Sequence, residues 1–180
     1  ATVLFCYGDT EFNHFAGEKP VIPSKVLLRD YVKENAFIMT AAEMGFVPKD
    51  GSLYIYNDGD IYNFVTTGVK NLNPFGEVYY SGSFDVKILS PAHGDVGISL
   101  SKGNVLNFTI NYDGIDQSEL ESVFNSIQEK KTYHRLKSGT FVNLESKTLL
   151  SGANLLENLD IKKDDFDGSS AVVPISKDFY

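Results

Sequence analysis

Residues 114–144 read GIDQSELESVFNSIQEKKTYHRLKSGTFVNL, and this stretch decides the fold class. Leu120, Val123, Phe124 and Ile127 recur at the spacing that lines one face of a helix. Asp116 stands where an N-cap belongs and Glu119 completes the pattern of a capping box, while Ile115 and Leu120 hold the positions of a hydrophobic staple. Lys130 and Lys131 suit the negative end of the helix dipole. The period then changes. Tyr133 to Leu136 and Thr140 to Leu144 are short strand-like runs, and Ser138-Gly139 between them has the composition of a hairpin turn. A helix that runs directly into an antiparallel hairpin belongs to a mixed α+β chain.

Working outward, elements of both kinds alternate irregularly, which disfavours a doubly wound parallel sheet. Upstream, Val3 to Tyr7, Leu53 to Tyr56, Glu77 to Tyr80, Asp85 to Leu89, Val96 to Leu100 and Val105 to Tyr112 read as strands, with a short extended piece at Val21 and Ile22. The loop Ser101 to Asn104 joins the last two of the strands as a hairpin. A helix is predicted from about Asp30 to Met44, with Leu28, Tyr31, Val32, Ile38, Met39 and Ala42 on its apolar face and Gly45 at C′. Asp60 caps a second, carrying Ile61, Phe64, Val65 and Leu72 and weakened at Gly68. Ser146 caps the last, which bears Leu149, Leu150, Ala153, Leu156 and Leu159. A final strand follows an acidic loop, Asp164 to Gly168. The expected architecture is therefore mainly antiparallel sheets with about four helices. Two packed subdomains, 1–90 and 91–180, are expected around a hinge at Ser90 to Asp95, with a single domain as the other reading.

The chain has 180 residues, 42% hydrophobic and 22% charged, and so can bury a sizeable core. Its net charge of −8 argues against nucleic-acid binding by the chain as a whole, because binders of phosphate carry a basic surplus. A lone cysteine, Cys6, permits no internal disulfide and fits a reducing, cytoplasmic setting. It lies in an apolar strand, where core packing is the expected role. No apolar run has the length of a membrane span. The chain opens directly into Val3-Leu4-Phe5 and closes just after a strand, so a fragment of a longer polypeptide is expected.

Catalytic signatures are missing. A phosphate-binding loop needs glycine amides, a lysine and a hydroxyl in fixed order. Lys70 and Lys102 lack that frame. His14, His93 and His134 are far apart, and Asp164, Asp165 and Asp167 lack the first ligand and the closing glutamate of a calcium loop. No nucleophile elbow occurs. Neither a catalytic residue, a cofactor nor a metal is expected in this chain.

Two clusters remain. From Glu129 to Lys137, basic and aromatic residues interleave, giving four cations against one carboxylate. Lys130, Lys131, Arg135 and Lys137 could meet phosphates and Tyr133 could stack on a base. An ordinary exposed hairpin face accounts for the same residues and is the plainer reading. Arg29-Asp30 with Glu34 one helical turn later forms a second cluster, an ion pair between elements or a docking point.

The arrangement as a whole resembles a known bacterial domain. Phe5-Cys6-Tyr7-Gly8, Arg29-Asp30 with Glu34, Gly45-Phe46, Ile61-Tyr62-Asn63-Phe64, Gly76-Glu77-Val78 and Gly114-Ile115-Asp116 with Glu119-Leu120 carry the likeness. Its strongest part is Lys130-Lys131 through Tyr133, Arg135-Leu136 and Gly139 to Phe141 and Leu144. Together these are similar to the accessory, helicase-associated domain just upstream of the ATPase core in bacterial Swi/Snf-family helicases. The resemblance implies a parent that uses ATP and magnesium to translocate on DNA. It implies for this chain a non-catalytic role, positioning or regulating the adjoining motor, with DNA contact through the basic hairpin. A protein–protein interaction module with no nucleic-acid role is the alternative.

Overall fold

The computed structural model describes residues 1–20, 26–82, 84–101, 105–158, 166–167 and 170–174. The chain divides into two compact units, Ala1–Phe84 and Asp85–Tyr180. Ser90 to Asp95, expected as a hinge, lies within the second. Among the described residues, small, mainly antiparallel sheets and four helices make the fold α+β, as the change of period around residue 130 requires.

In the first unit, β1 (Phe5–Tyr7) pairs with β2 (Thr10–Phe12) and, after α1 (Tyr31–Glu43), β3 (Val47–Lys49) pairs with β4 (Ser52–Tyr54). Phe5 packs on Phe12 and Phe37, and Phe37 on Phe75, each at 5.8 Å between ring centres. Asp30 caps α1 by accepting from the Lys33 N–H at 3.0 Å. At its other end Gly45, at φ 83°, closes a Schellman turn in which the Phe46 N–H reaches the Ala41 carbonyl. The second helix runs as α2 (Asp58–Asn63), a π turn at Phe64–Gly68 and α3 (Val69–Leu72). Its cap is Asn57, whose side-chain oxygen accepts from Gly59 and Asp60, so Asp60 lies inside the first turn instead of capping it.

Several expectations for this unit are corrected. The face of α1 expected to be buried is open: Val32 is 82% exposed and Met39 64%, and Leu28, Tyr31 and Ala42 are exposed too. The helix buries Glu34 and Ala41 instead. Cys6 is exposed rather than packed, because in a three-residue strand alternation turns it away from Phe5 and Tyr7. Glu77 to Tyr80 forms no strand despite its aromatics; no neighbouring strand pairs with it among the described residues. Val21 and Ile22 lie outside the described residues.

The second unit has one apolar core. β6 (Gly94–Ser101) and β7 (Val105–Tyr112) form a long hairpin, extended by β11 (Ser170–Pro174) and β10 (Phe166–Asp167). Its loop residues 102–104, residues 164, 165 and 168 of the acidic loop, and Leu159 lie outside the described residues. β8 (Tyr133–Arg135) and β9 (Phe141–Asn143) pair antiparallel, and β5 (Ile88–Leu89) adds to β9 in parallel. Phe108, Ile110 and Tyr112 of β7 are buried with α4 (Gln117–Gln128) and α5 (Lys147–Asn158). From α4 come Leu120, Val123 and Phe124, with Ile127 beside them, as the helical spacing predicts. Leu149 and Leu156 of α5 join them. Leu150 is exposed, and Ser146, expected as a cap, donates its hydroxyl to the Pro91 carbonyl at 3.2 Å. Gly152 of α5 lies so close to the Tyr112 hydroxyl that no β-carbon fits there.

Candidate functional site

The basic interleaved segment folds as expected into the β8–β9 hairpin and is seated on α4. Tyr133 and Arg135, two residues apart, share one face of β8, and His134 takes the other. Phe141 lies opposite Arg135 in the register, with the Arg135 guanidinium 5.2 Å above its ring and the Tyr133 ring edge-on at 5.5 Å. Phe141, Leu136 and Leu144 are buried. Half of the pattern is therefore structural, and the cations form its outer surface. Lys130, Lys131, Arg135 and Lys137 are all exposed, and Tyr133 is half-buried. Lys131 pairs with Glu129 at 2.6 Å, which offsets part of the local charge.

Two features fix the hairpin. First, α4 ends in a Schellman turn: the Lys130 N–H reaches the Ile127 carbonyl and the Lys131 N–H that of Ser126. Lys130 occupies the left-handed position at φ 58°, where glycine is usual. Second, Glu119 does not close a capping box. The Asp116 carboxylate accepts from the Ser118 N–H at 2.8 Å and from its hydroxyl, contacts that hold that carboxyl below its usual range. The buried Glu119 carboxylate is thereby left to accept from the Lys137 N–H, at 2.8 Å, in the hairpin turn. A local helix signal is spent on a tertiary contact.

His134 packs against α4 between two serines. Its Nδ1 lies 2.9 Å from the Ser126 hydroxyl and its Nε2 3.3 Å from that of Ser122. Burial lowers the pKa of the ring. Neither serine stood out in the sequence. Their i, i+4 spacing on the helix face next to the core stripe was the available signal.

The second cluster is structural in geometry. Arg29 binds Glu34 through two nitrogens, the Nε contact being 3.0 Å, and its guanidinium lies 4.6 Å over Phe12 and 4.7 Å over Tyr31. The Tyr7 hydroxyl donates to Glu34 at 2.5 Å and accepts from the Asp30 N–H at 2.9 Å. Glu34 is only 4% exposed, and the Arg29 contact holds its carboxyl below the usual range, while partial burial and the glutamate raise Tyr7. Every strong group here has a partner, so the cluster pins β1 to the start of α1. Asp30 divides its role between this cluster and the helix cap.

Among the described residues, no group of three or more His, Cys, Asp or Glu side chains could hold a metal ion, and no helix is long and apolar enough to cross a membrane. A family model described as bacterial SNF2 helicase associated matches residues 1–180, the whole chain, and the chain belongs to that family. Neither a curated protein nor a solved structure matches it.

Proposed function

We propose, with that membership as the premise, that the chain is a non-catalytic module that positions or regulates an SNF2-type ATPase motor on DNA. The β8–β9 hairpin is its contact element, reaching DNA or the motor through Lys130, Lys131, Arg135 and Lys137, with Tyr133 beside them. The carrying observation is the whole-chain match to a helicase-associated family. The supporting one is that the four cations stand exposed, two on the turn that ends α4 and two on the hairpin that follows, whose buried residues and tie to Glu119 fix its shape. ATP and magnesium would belong to the adjoining motor of a cytoplasmic translocase, and the module would hold no cofactor of its own. Acidic surface elsewhere would keep phosphate away except at the hairpin, or dock on a basic motor face.

The apolar side chains exposed on α1, Val32 and Met39 foremost, favour a second reading: a protein-interaction module with no nucleic-acid role. Titration against labelled duplex and single-stranded DNA at low salt separates the two. Binding by the wild type that is lost when Lys130, Lys131 and Arg135 are changed to Glu supports the hairpin. Equal absence of binding in both proteins removes direct DNA contact and leaves the second reading.

A further inference from the structure

The two serines around His134 fix where its ring proton sits. Ser122 has one hydroxyl proton, and it is given to the Glu119 carbonyl at 2.7 Å. Ser122 can therefore only accept from the ring, which places a hydrogen on Nε2. The neutral ring then has a bare Nδ1, and the Ser126 hydroxyl, 2.9 Å away, donates to it. Both ring nitrogens are used, and both partners belong to α4. Ser126 is itself buried.

A second proton would go on Nδ1, where a hydroxyl hydrogen already points. Ser126 would have to turn that hydrogen away, inside the packed contact between helix and strand. The half-buried ring would also carry a charge. We propose that His134 is a proton-sensitive latch, which holds β8 against α4 as the neutral Nε2–H form and loosens the strand on protonation.

The surroundings agree with this direction. Burial is the largest influence and favours the neutral ring; Lys131, in the approach to β8, acts in the same sense. Glu119 of α4 opposes them, but its carboxylate already accepts from the Lys137 N–H. β9, the strand opposite, brings Val142 against His134 and has no titratable side chain. Because Tyr133 and Arg135 occupy the other face of β8, the latch sets the position of the proposed contact surface. It does not depend on what that surface binds.

Nitrogen spectra of the histidine rings test it on the wild-type chain. The expected result at about pH 8 is a protonated Nε2 and a bare Nδ1, with a midpoint below the ordinary histidine value of about 6.5. Amide exchange at Tyr133 to Arg135, corrected for its intrinsic pH dependence, should show opening several-fold more frequent at about pH 5 than at pH 8. His134→Phe should abolish that difference. Ser126→Ala keeps a titrating ring and should move its midpoint up, which serves if the phenylalanine variant does not fold. A hydrogen on Nδ1 in the neutral ring, a midpoint at or above the ordinary value, or equal protection of β8 at both pH values would each overturn the latch.

Discussion

The carboxylate of Glu119, in the first turn of α4, accepts the backbone N–H of Lys137, 18 residues further along in the turn of the basic hairpin, at 2.8 Å. A buried charged acceptor with a backbone donor is among the stronger single hydrogen bonds in a small unit. Glu119→Ala leaves the Lys137 N–H without this partner and should lower stability by about 1–3 kcal/mol. Urea unfolding measures it. The hairpin amides should also exchange faster while those of α5 keep their protection, and a uniform change across the unit would contradict the assignment.

The Arg29–Glu34 pair makes the first unit acid-sensitive. The folded carboxyl of Glu34 lies below its unfolded value, so the unfolded chain takes up its proton first as pH falls. Its contribution is complete above the ordinary carboxylate range near pH 4.3 and is lost as pH drops through the folded value. Glu34→Gln should flatten that part of a stability-against-pH curve. Arg29→Met, which strands a buried carboxylate, should cost about 3 kcal/mol near neutrality.

Where α5 meets the Tyr112 side chain of β7, Gly152 admits no β-carbon because the Tyr112 hydroxyl is there. Gly152→Ala should therefore destabilise the second unit by about 1–3 kcal/mol, the usual penalty for overpacking. Tyr112→Phe removes the obstructing oxygen and gives up only a 3.4 Å contact to the Thr148 carbonyl. The double variant should recover much of the loss, and thermal unfolding of the four proteins in the cycle gives the coupling.

If the hairpin binds duplex DNA through its four cations, affinity falls with salt in proportion to the phosphates neutralised. The slope of log affinity against log salt should be no steeper than about −3.6. Arg135→Ala alone should make it shallower by about 0.9. A slope that ignores these substitutions would place the contact elsewhere.

Much of the second unit was legible because its signals agree. Apolar spacing in α4, the period of the hairpin strands and the turn at Ser138-Gly139 all specify one arrangement. The first unit was harder to read, for identifiable reasons. In α1 an apolar count favoured Tyr31, Val32 and Met39, yet the chain buries Glu34, since Arg29 and Tyr7 arrive from outside the helix to satisfy it. No periodicity can register a partner that lies 27 residues away, as Tyr7 does. Glu119 departs from its expected capping role in the same manner, because its carboxylate bonds to the distant Lys137 N–H. Ser146 keeps the position before α5, its carbonyl accepting from the Leu150 N–H, while its hydroxyl also reaches the distant Pro91 carbonyl. His134 was visible only as an isolated histidine, because its partners are serines that a helix displays on any face.

Two Schellman turns among the described residues differ in one respect. Gly45 fills the left-handed position after α1, whereas Lys130 fills it after α4. A side chain there works against the backbone by about 1 kcal/mol. Lys130→Gly should accordingly raise the stability of the second unit while taking away one of the four exposed cations. Folding and contact then pull in opposite directions at a single residue, and a chain selected for robustness alone would have no reason to keep the lysine. The gain in unfolding midpoint, set against the change in DNA affinity, would show what that position is for.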